Sequence, residues 1–501
     1  MSSAKPISAS DRTVLAAALV LGAGVLWFRL GWQSFWWDEH VTLMFTRLDW
    51  STLMIEHWGL DTHRPVYYGL QKLWVGLVGD NVGAVRSLQV VLILPVIAIF
   101  FAIGRRIGGP QMGWIAALLI GSAPMFLYQG RELRMYALVS LLLALALWIA
   151  VVLANRARTG ETHKSTIPLW IAFAVLMAAA FYTQALAGFV ALLFGLWILV
   201  CCAFGILPLR FLGQALLAGV LYLVLLIPAL QPFFAHATGT IGSNFWLPEP
   251  NLSYVYAQMT TAYAYPKWMK PVVALMLLWG FWSLRDRPHV FWLCVLMVIG
   301  LPALVIGISF WKPIFMAKVV AWGSLVSIFV LAAGLMALPP VARWGGVLVI
   351  LVSQLMAAWT FYPAAPEQDP LAEIAAGLED FDPARDILVL GNQMQEPALR
   401  WYAPDVFATA RAYGFTYGDW TQNVIDAALA STHVKRADAS QLAATEYPED
   451  ARLWVFSETT RNPRGAPEDD TDGALQTLIQ GRQASTSLRA GRFALHVYSL
   501  N

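Results

Sequence analysis

Long apolar stretches separated by short polar connections run through residues 1–362, and the pattern then changes. Stretches of about 17–25 apolar residues are long enough to cross the hydrocarbon core of a bilayer as helices. They predict spans at about 13–30, 85–104, 112–128, 134–154, 167–183, 187–206, 211–231, 271–284, 289–309, 318–337 and 345–362. That makes about eleven, the fifth and sixth being divided only by a short polar break at Thr183-Gln184. Beyond Pro363 the chain turns charged and Ala-rich. Asp386 to Gly391 reads as a buried strand, Glu396 to Tyr402 as a helix, Leu453 to Phe456 as a second strand and Arg492 to Tyr498 as a third, with a helix over 473–481. At 139 residues this tail can hold its own core. The expected architecture is a polytopic α-helical membrane domain, residues 1–362, followed by a small α/β domain, residues 363–501.

Composition sharpens the division. The chain is 58% hydrophobic and 13% charged, with a mean hydropathy of +0.59. These values exclude a disordered or nucleic-acid-binding protein and argue against an ordinary soluble enzyme. The net charge of +2 averages two unlike parts. Residues 1–362 carry 22 Lys/Arg against 11 Asp/Glu, and residues 363–501 carry 11 against 20. Arg105-Arg106, Arg156/Arg158/Lys164, Arg210, Arg285/Arg287 and Arg343 fall in alternate connections, as cytoplasmic loops should, and Lys5 and Arg12 place the N-terminus on the same side. The first span reads as an uncleaved signal anchor. An odd number of spans then puts the acidic tail on the periplasmic or extracellular side of an inner or plasma membrane. The segments 31–84, 129–133, 232–270 and 310–317 lie there too. Cys201, Cys202 and Cys294 fall in predicted spans and imply no disulfide framework.

Carboxylates are scarce in the apolar body, so their placement is informative. Six of its eleven lie between Asp38 and Asp80, together with His40, His57 and His63. Four external elements stand out. The first, Ser34 to His40, sets Asp38 and Glu39 beside aromatic residues suited to the membrane interface. It reads as a general base with a companion, or equally as a solvated helix end. The second, Asp61 to Tyr68, places His63 and Arg64 ahead of a helix begun by Pro65, where anions are favoured; an interfacial helix with snorkelling basic side chains is the alternative. The third, Tyr128 to Tyr136, crowds Arg131, Glu132 and Arg134 into a very short connection. Arginines are disfavoured in short outer loops, so a partner is expected, and a phosphate would serve. The fourth, Ser309 to Lys318, puts Lys312 and Lys318 just before a span, facing an anion or lipid headgroups. Together the four suit a lipid with a phosphate headgroup.

With these residues in view the sequence resembles the GT-C glycosyltransferases that use polyprenyl-phosphate sugars, in particular the branch of protein mannosyltransferases and the lipid A aminoarabinose transferase. The likeness rests on Trp36-Trp37-Asp38-Glu39, on His63 to Tyr68, on Gly79-Asp80 with Val85-Arg86-Ser87, on Gln129 with Glu132 to Tyr136, and on the 309–318 loop. It implies a GT-C-like catalytic domain and an inverting transfer of a sugar from a polyprenyl-phosphate donor to a hydroxyl on a glycan, lipid or protein. By position it implies Asp38 as catalytic base, Glu39 as its companion and Glu132 as a second acidic residue. Arg64, Arg131, Arg134 and Lys318 would hold the donor phosphate, and His63, Tyr67 and Tyr136 would line the substrate cavity. Apart from the resemblance, the 232–270 loop with Trp246 reads as part of that cavity or equally as a structural lid. Lys318-Val319 stands where the family commonly has an Arg-Tyr pair, which keeps the charge and loses paired phosphate recognition. Some members of the family use a divalent metal and others none; His63 or Asp61 would contribute to such a site here. No P-loop or dinucleotide fingerprint is present, consistent with a lipid-borne donor. The rival reading is a polytopic transporter or lipid flippase. That reading expects ionisable residues at midplane and two related halves, neither of which the sequence shows.

Overall fold

The computed structural model describes residues 6–33, 35–55, 65–79, 81–159, 166–238, 247–360, 362, 370–391, 396–414, 434–436, 442, 450–458, 479–480, 482–490 and 493–499. The chain begins with α1 (Ala9–Trp27), α2 (Trp37–Arg47), α3 (Trp50–Met54), α4 (Pro65–Val78), α5 (Val82–Gly108), α6 (Pro110–Ser122) and α7 (Pro124–Gln129). It continues through α8 (Tyr136–Thr159), α9 (Ile167–Thr183), α10 (Ala187–Ala203), α11 (Leu209–Thr238), α12 (Leu252–Tyr263) and α13 (Lys270–Leu284). Then come α14 (Pro288–Val295), α15 (Leu301–Ser309), α16 (Ala317–Met336) and α17 (Pro340–Trp359). The C-terminal region supplies α18 (Pro370–Ala376), β1 (Ile387–Leu390), α19 (Glu396–Tyr402), α20 (Pro404–Thr409), β2 (Arg411–Gly414), β3 (Val434–Arg436), β4 (Arg452–Glu458), β5 (Ala484–Ala490) and β6 (Phe493–Ser499).

Each of the eleven predicted stretches falls on helix. Among the described residues, seven segments are long and apolar enough to cross a membrane: α1, α5, α8, Leu209–Gln231, Pro288–Ser309, α16 and α17. The other four, α6, α9, α10 and α13, run 13 to 17 residues. The predicted span 112–128 is divided where Pro124, which has no N–H to give, ends α6 and begins α7. Pro288–Ser309 is helical throughout but passes through a π-helical turn at Leu296–Gly300.

The chain divides into two compact units. The first takes residues 1–31, 62–235 and 245–364, and the second takes 32–61, 236–244 and 365–501. In the first, α16 is the central helix, buried along nearly its whole length. Glycine lets α13 lie against it: a Cβ on Gly280 would sit 2.0 Å from the Val330 carbonyl oxygen, and one on Gly334 would sit 2.8 Å from that of Met276. Without a hydrophobic force between helices in lipid, such backbone approach is what holds them together. At the start of α1, Asp11 is fully buried, ion-paired to Arg105 at 3.2 Å and accepting from Trp114 Nε1 at 2.8 Å.

The second unit is built on one six-stranded sheet, order β3-β2-β1-β4-β6-β5. β1 pairs in parallel with β2 and β4, β2 pairs in parallel with β3, and β6 runs antiparallel to β4 and β5. The three predicted strands are β1, β4 and β6, and the predicted helix 396–402 is α19. The predicted helix 473–481 lies almost wholly outside the described residues. Asp386, just before β1, locks the centre of the sheet. Fully buried, it accepts from Arg452 Nη2 at 2.6 Å and Nε at 3.1 Å, from Trp454 Nε1 at 3.1 Å and from the Asp382 amide at 2.9 Å. Burial alone would raise its carboxyl; the Arg452 guanidinium, the amide and the indole outweigh burial and hold it below its ordinary value. A depressed carboxyl contributes stability that is complete above its unfolded-state pKa and is lost as pH falls through the folded one. Asp386→Asn should therefore destabilise this unit by about 3 kcal/mol at neutral pH, because Arg452 loses its carboxylate. It should also flatten the loss of stability on acidification below about pH 4, read by thermal unfolding of the purified protein in detergent.

Candidate active site

The crowded connection 129–136 lies mostly in the interior of its unit. Gln129, Glu132, Leu133, Arg134, Met135 and Tyr136 are all buried. The carboxylate of Glu132 meets Lys318 Nζ at 2.7 Å, with side-chain exposures of 4% and 15%. The same ammonium lies 5.4 Å from the Tyr128 ring centre and 5.2 Å from that of Tyr136, within cation–π range. A turn at the end of α7 brings Glu132 back, its amide donating to the Tyr128 carbonyl, and the Arg134 amide donates in turn to the Glu132 carbonyl at 2.7 Å. This arrangement joins two sequence elements, 128–136 and 309–318, into one cation–carboxylate–aromatic cluster.

Lys318 owes its place to the start of α16. The Ala317 amide has no capping side chain of its own helix and donates instead to Gln258 Oε1 of α12, at 2.8 Å. Tyr254 of α12 donates to the Phe315 carbonyl at 2.8 Å. The long 232–270 connection thus contributes a helix that clamps the approach to Lys318. No sequence signal marked Gln258 or Tyr254, since a polar residue in a loop helix is ordinary.

Arg131 has a different occupation from the phosphate expected of it. Its Nη1 donates to the Leu26 and Phe28 carbonyls at 2.9 and 2.6 Å, and its Nη2 to Arg29 at 3.1 Å. Its guanidinium lies 4.6 Å from the Tyr362 ring centre. Arg86 adds a bond to the Leu30 carbonyl at 3.1 Å. Two guanidinium groups therefore cap the open carbonyls at the end of α1, where cations are favoured. Tyr67 is fully buried in an amide network: it takes a bond from Gln89 Nε2 at 2.9 Å and donates to Gln71 Oε1.

The acidic pair belongs to the second unit, at the first turn of α2. The two carboxylates have separate situations. Glu39 is 1% exposed and reaches back to accept the Trp36 amide at 3.1 Å, capping its own helix. Asp38 is half-buried, with Thr42 Oγ1 donating to its carbonyl. Across the same unit, α2 packs on α19. Phe35 meets Trp401 edge-on at 5.5 Å, His40 meets Tyr402 at 6.1 Å, and Arg47 lies 4.9 Å over the Trp401 ring. Glu396, at the start of α19, is buried and ion-paired to Arg400 at 3.1 Å. Burial pushes its carboxyl up to about 6, against the pull of Arg400 and Arg47.

His63, Arg64 and Trp246, like Asp61 and Asp80, lie outside the described residues. Among the described residues no three His, Cys, Asp or Glu side chains gather as metal ligands would.

The pair Glu132–Lys318 should show strong coupling. Lys318→Met or Glu132→Gln alone strands a buried partner and should each lower stability by about 3 kcal/mol. The double variant should lose far less than the sum, read by thermal unfolding in detergent micelles.

No protein-family model and no curated protein matches the sequence. Solved structures do. ArnT from Cupriavidus metallidurans in the apo state aligns over 97% of this chain and 97% of its own, with 14% identity and a TM-score of 0.62. The same protein bound to undecaprenyl phosphate aligns over 98% of both, with a TM-score of 0.61. The archaeal oligosaccharyltransferase AglB from Archaeoglobus fulgidus aligns over 90% of this chain and 69% of its own, with 11% identity and a TM-score of 0.51. At such identities the likeness is one of fold, and it extends from end to end: this multi-pass membrane protein has the GT-C fold.

Proposed function

We propose that the protein is an inverting glycosyltransferase that moves a sugar from a polyprenyl-phosphate donor to a hydroxyl acceptor at the outer face of the membrane. The observation that carries this reading is the end-to-end likeness to ArnT, which was solved with undecaprenyl phosphate bound. The residues present suit the chemistry. Glu39 serves as a helix cap, which leaves Asp38 as the member of the pair suited to act as base. Asp38 takes the proton of the acceptor hydroxyl while its oxygen bonds to the anomeric carbon and the bond from that carbon to the phosphate oxygen breaks. The polyprenyl phosphate leaves as an anion. Its charge is met by Lys318, drawn from its pairing with Glu132, and by Arg134. Arg131 donates to carbonyls at the end of α1, and the phosphate is therefore assigned to Lys318 and Arg134.

Asp38→Asn should cut the release of undecaprenyl phosphate from undecaprenyl-phosphate-linked sugars by a factor of about 10²–10⁴ while the protein still folds and inserts. Full turnover in that variant, across a panel of pentosyl and hexosyl donors, would remove Asp38 from its role.

The proposed orientation has its own test. The three native cysteines are buried, so a single cysteine at the exposed Glu379 of the second unit is a clean reporter. Glu379→Cys should react with an impermeant maleimide while the cytoplasmic membrane is intact; protection until lysis would invert the topology.

A further inference from the structure

The helix that carries Asp38 does not stand alone. α2 is only 11 residues long, and isolated helices of that length are marginal in water. Its direction must come from what it packs on, and within its unit it packs on α19. One side chain of α19 grips both flanks of α2. The Trp401 indole receives Phe35 edge-on at 5.5 Å, two residues before the helix begins. It also receives the Arg47 guanidinium over its face at 4.9 Å, in the last turn. Tyr402, the next residue, meets His40 in the first turn, and His40 in turn meets Phe35 edge-on at 5.7 Å. Contacts at both ends of a short helix determine its axis and its rotation, hence the direction of a residue in its first turn. Glu396, one turn earlier on α19, adds electrostatic attraction to Arg47.

We propose that Trp401 is a positioning residue for Asp38, acting through α2: the C-terminal unit holds the catalytic helix in register by clasping Phe35 and Arg47 across one indole. The proposal rests on the reading of Asp38 as base. It assigns the C-terminal unit a part in the transfer itself, beyond mere attachment.

The test compares Trp401→Ala, Trp401→Phe and Arg47→Gln in the full-length protein, assayed in membranes by release of undecaprenyl phosphate. The donor is whichever of a panel of undecaprenyl-phosphate-linked pentoses and hexoses the unmodified protein turns over fastest. Trp401→Ala should lower kcat about tenfold or more with KM for the donor unchanged, since small misplacement of a reacting group is costly while donor binding is untouched. Trp401→Phe, which keeps a ring for Phe35 and Arg47, should recover most of kcat. Arg47→Gln, exposed and outside the unit's core, should fall in the same direction by less. Unchanged kcat in both Trp401→Ala and Arg47→Gln would overturn the proposal. So would a common fall in kcat and rise in KM tracking lost thermal stability, because that marks a structural role alone. If Asp38→Asn keeps full turnover, the base assignment itself fails, an outcome distinct from either of these.

Discussion

A charge removed from water beside a bilayer must be met by an opposite charge or by oriented dipoles, and the buried charges of the membrane unit follow this constraint. Glu132 and Lys318 meet each other at 2.7 Å. Arg131 and Arg86 meet the open carbonyls at the end of α1. Asp11 meets Arg105 and Trp114. Glu132–Lys318 and Asp11–Arg105 each join opposite charges at the start of a helix beside aromatic rings. Arg131 and Arg86 tie the end of α1 to neighbouring helices.

The second unit solves a different problem. Short helices such as α2 and α19 have little stability of their own. They gain it from one another, and α19 also from the apolar core it shares with a sheet whose centre is locked by Asp386 and Arg452. The division of the chain by contacts gathers residues 32–61 with the C-terminal region, although more than 300 residues separate them in sequence. The acidic pair is thus carried by a short helix that packs on α19 of the tail.

Much of this was legible in the sequence. All eleven apolar stretches are helical, and β1, β4, β6 and α19 lie where periodicity put them. Seven segments meet the length of a span on their own; the remainder are shorter, because apolar composition marks burial as well as bilayer and does not distinguish a full crossing from a partial one. β2 and β3 escaped notice because four-residue and three-residue strands give no period to detect. β5, Ala-Ser-Thr-Ser-Leu-Arg-Ala, is an exposed polar edge strand, and its place depends on pairing with β6.

The candidate residues divide in the same way. Sequence alone determined that Asp38, Glu39, Arg131, Glu132, Arg134 and Lys318 are charges that apolar surroundings must account for, since the cost of burying a charge follows from residue type and neighbours. It left open what accounts for each. Packing settled that Glu39 caps its helix, that Arg131 binds carbonyls at and just past the end of α1, and that Glu132 and Lys318, 186 residues apart, form one pair. Partner choice over such separations is a matter of packing, and local pattern carries no record of it.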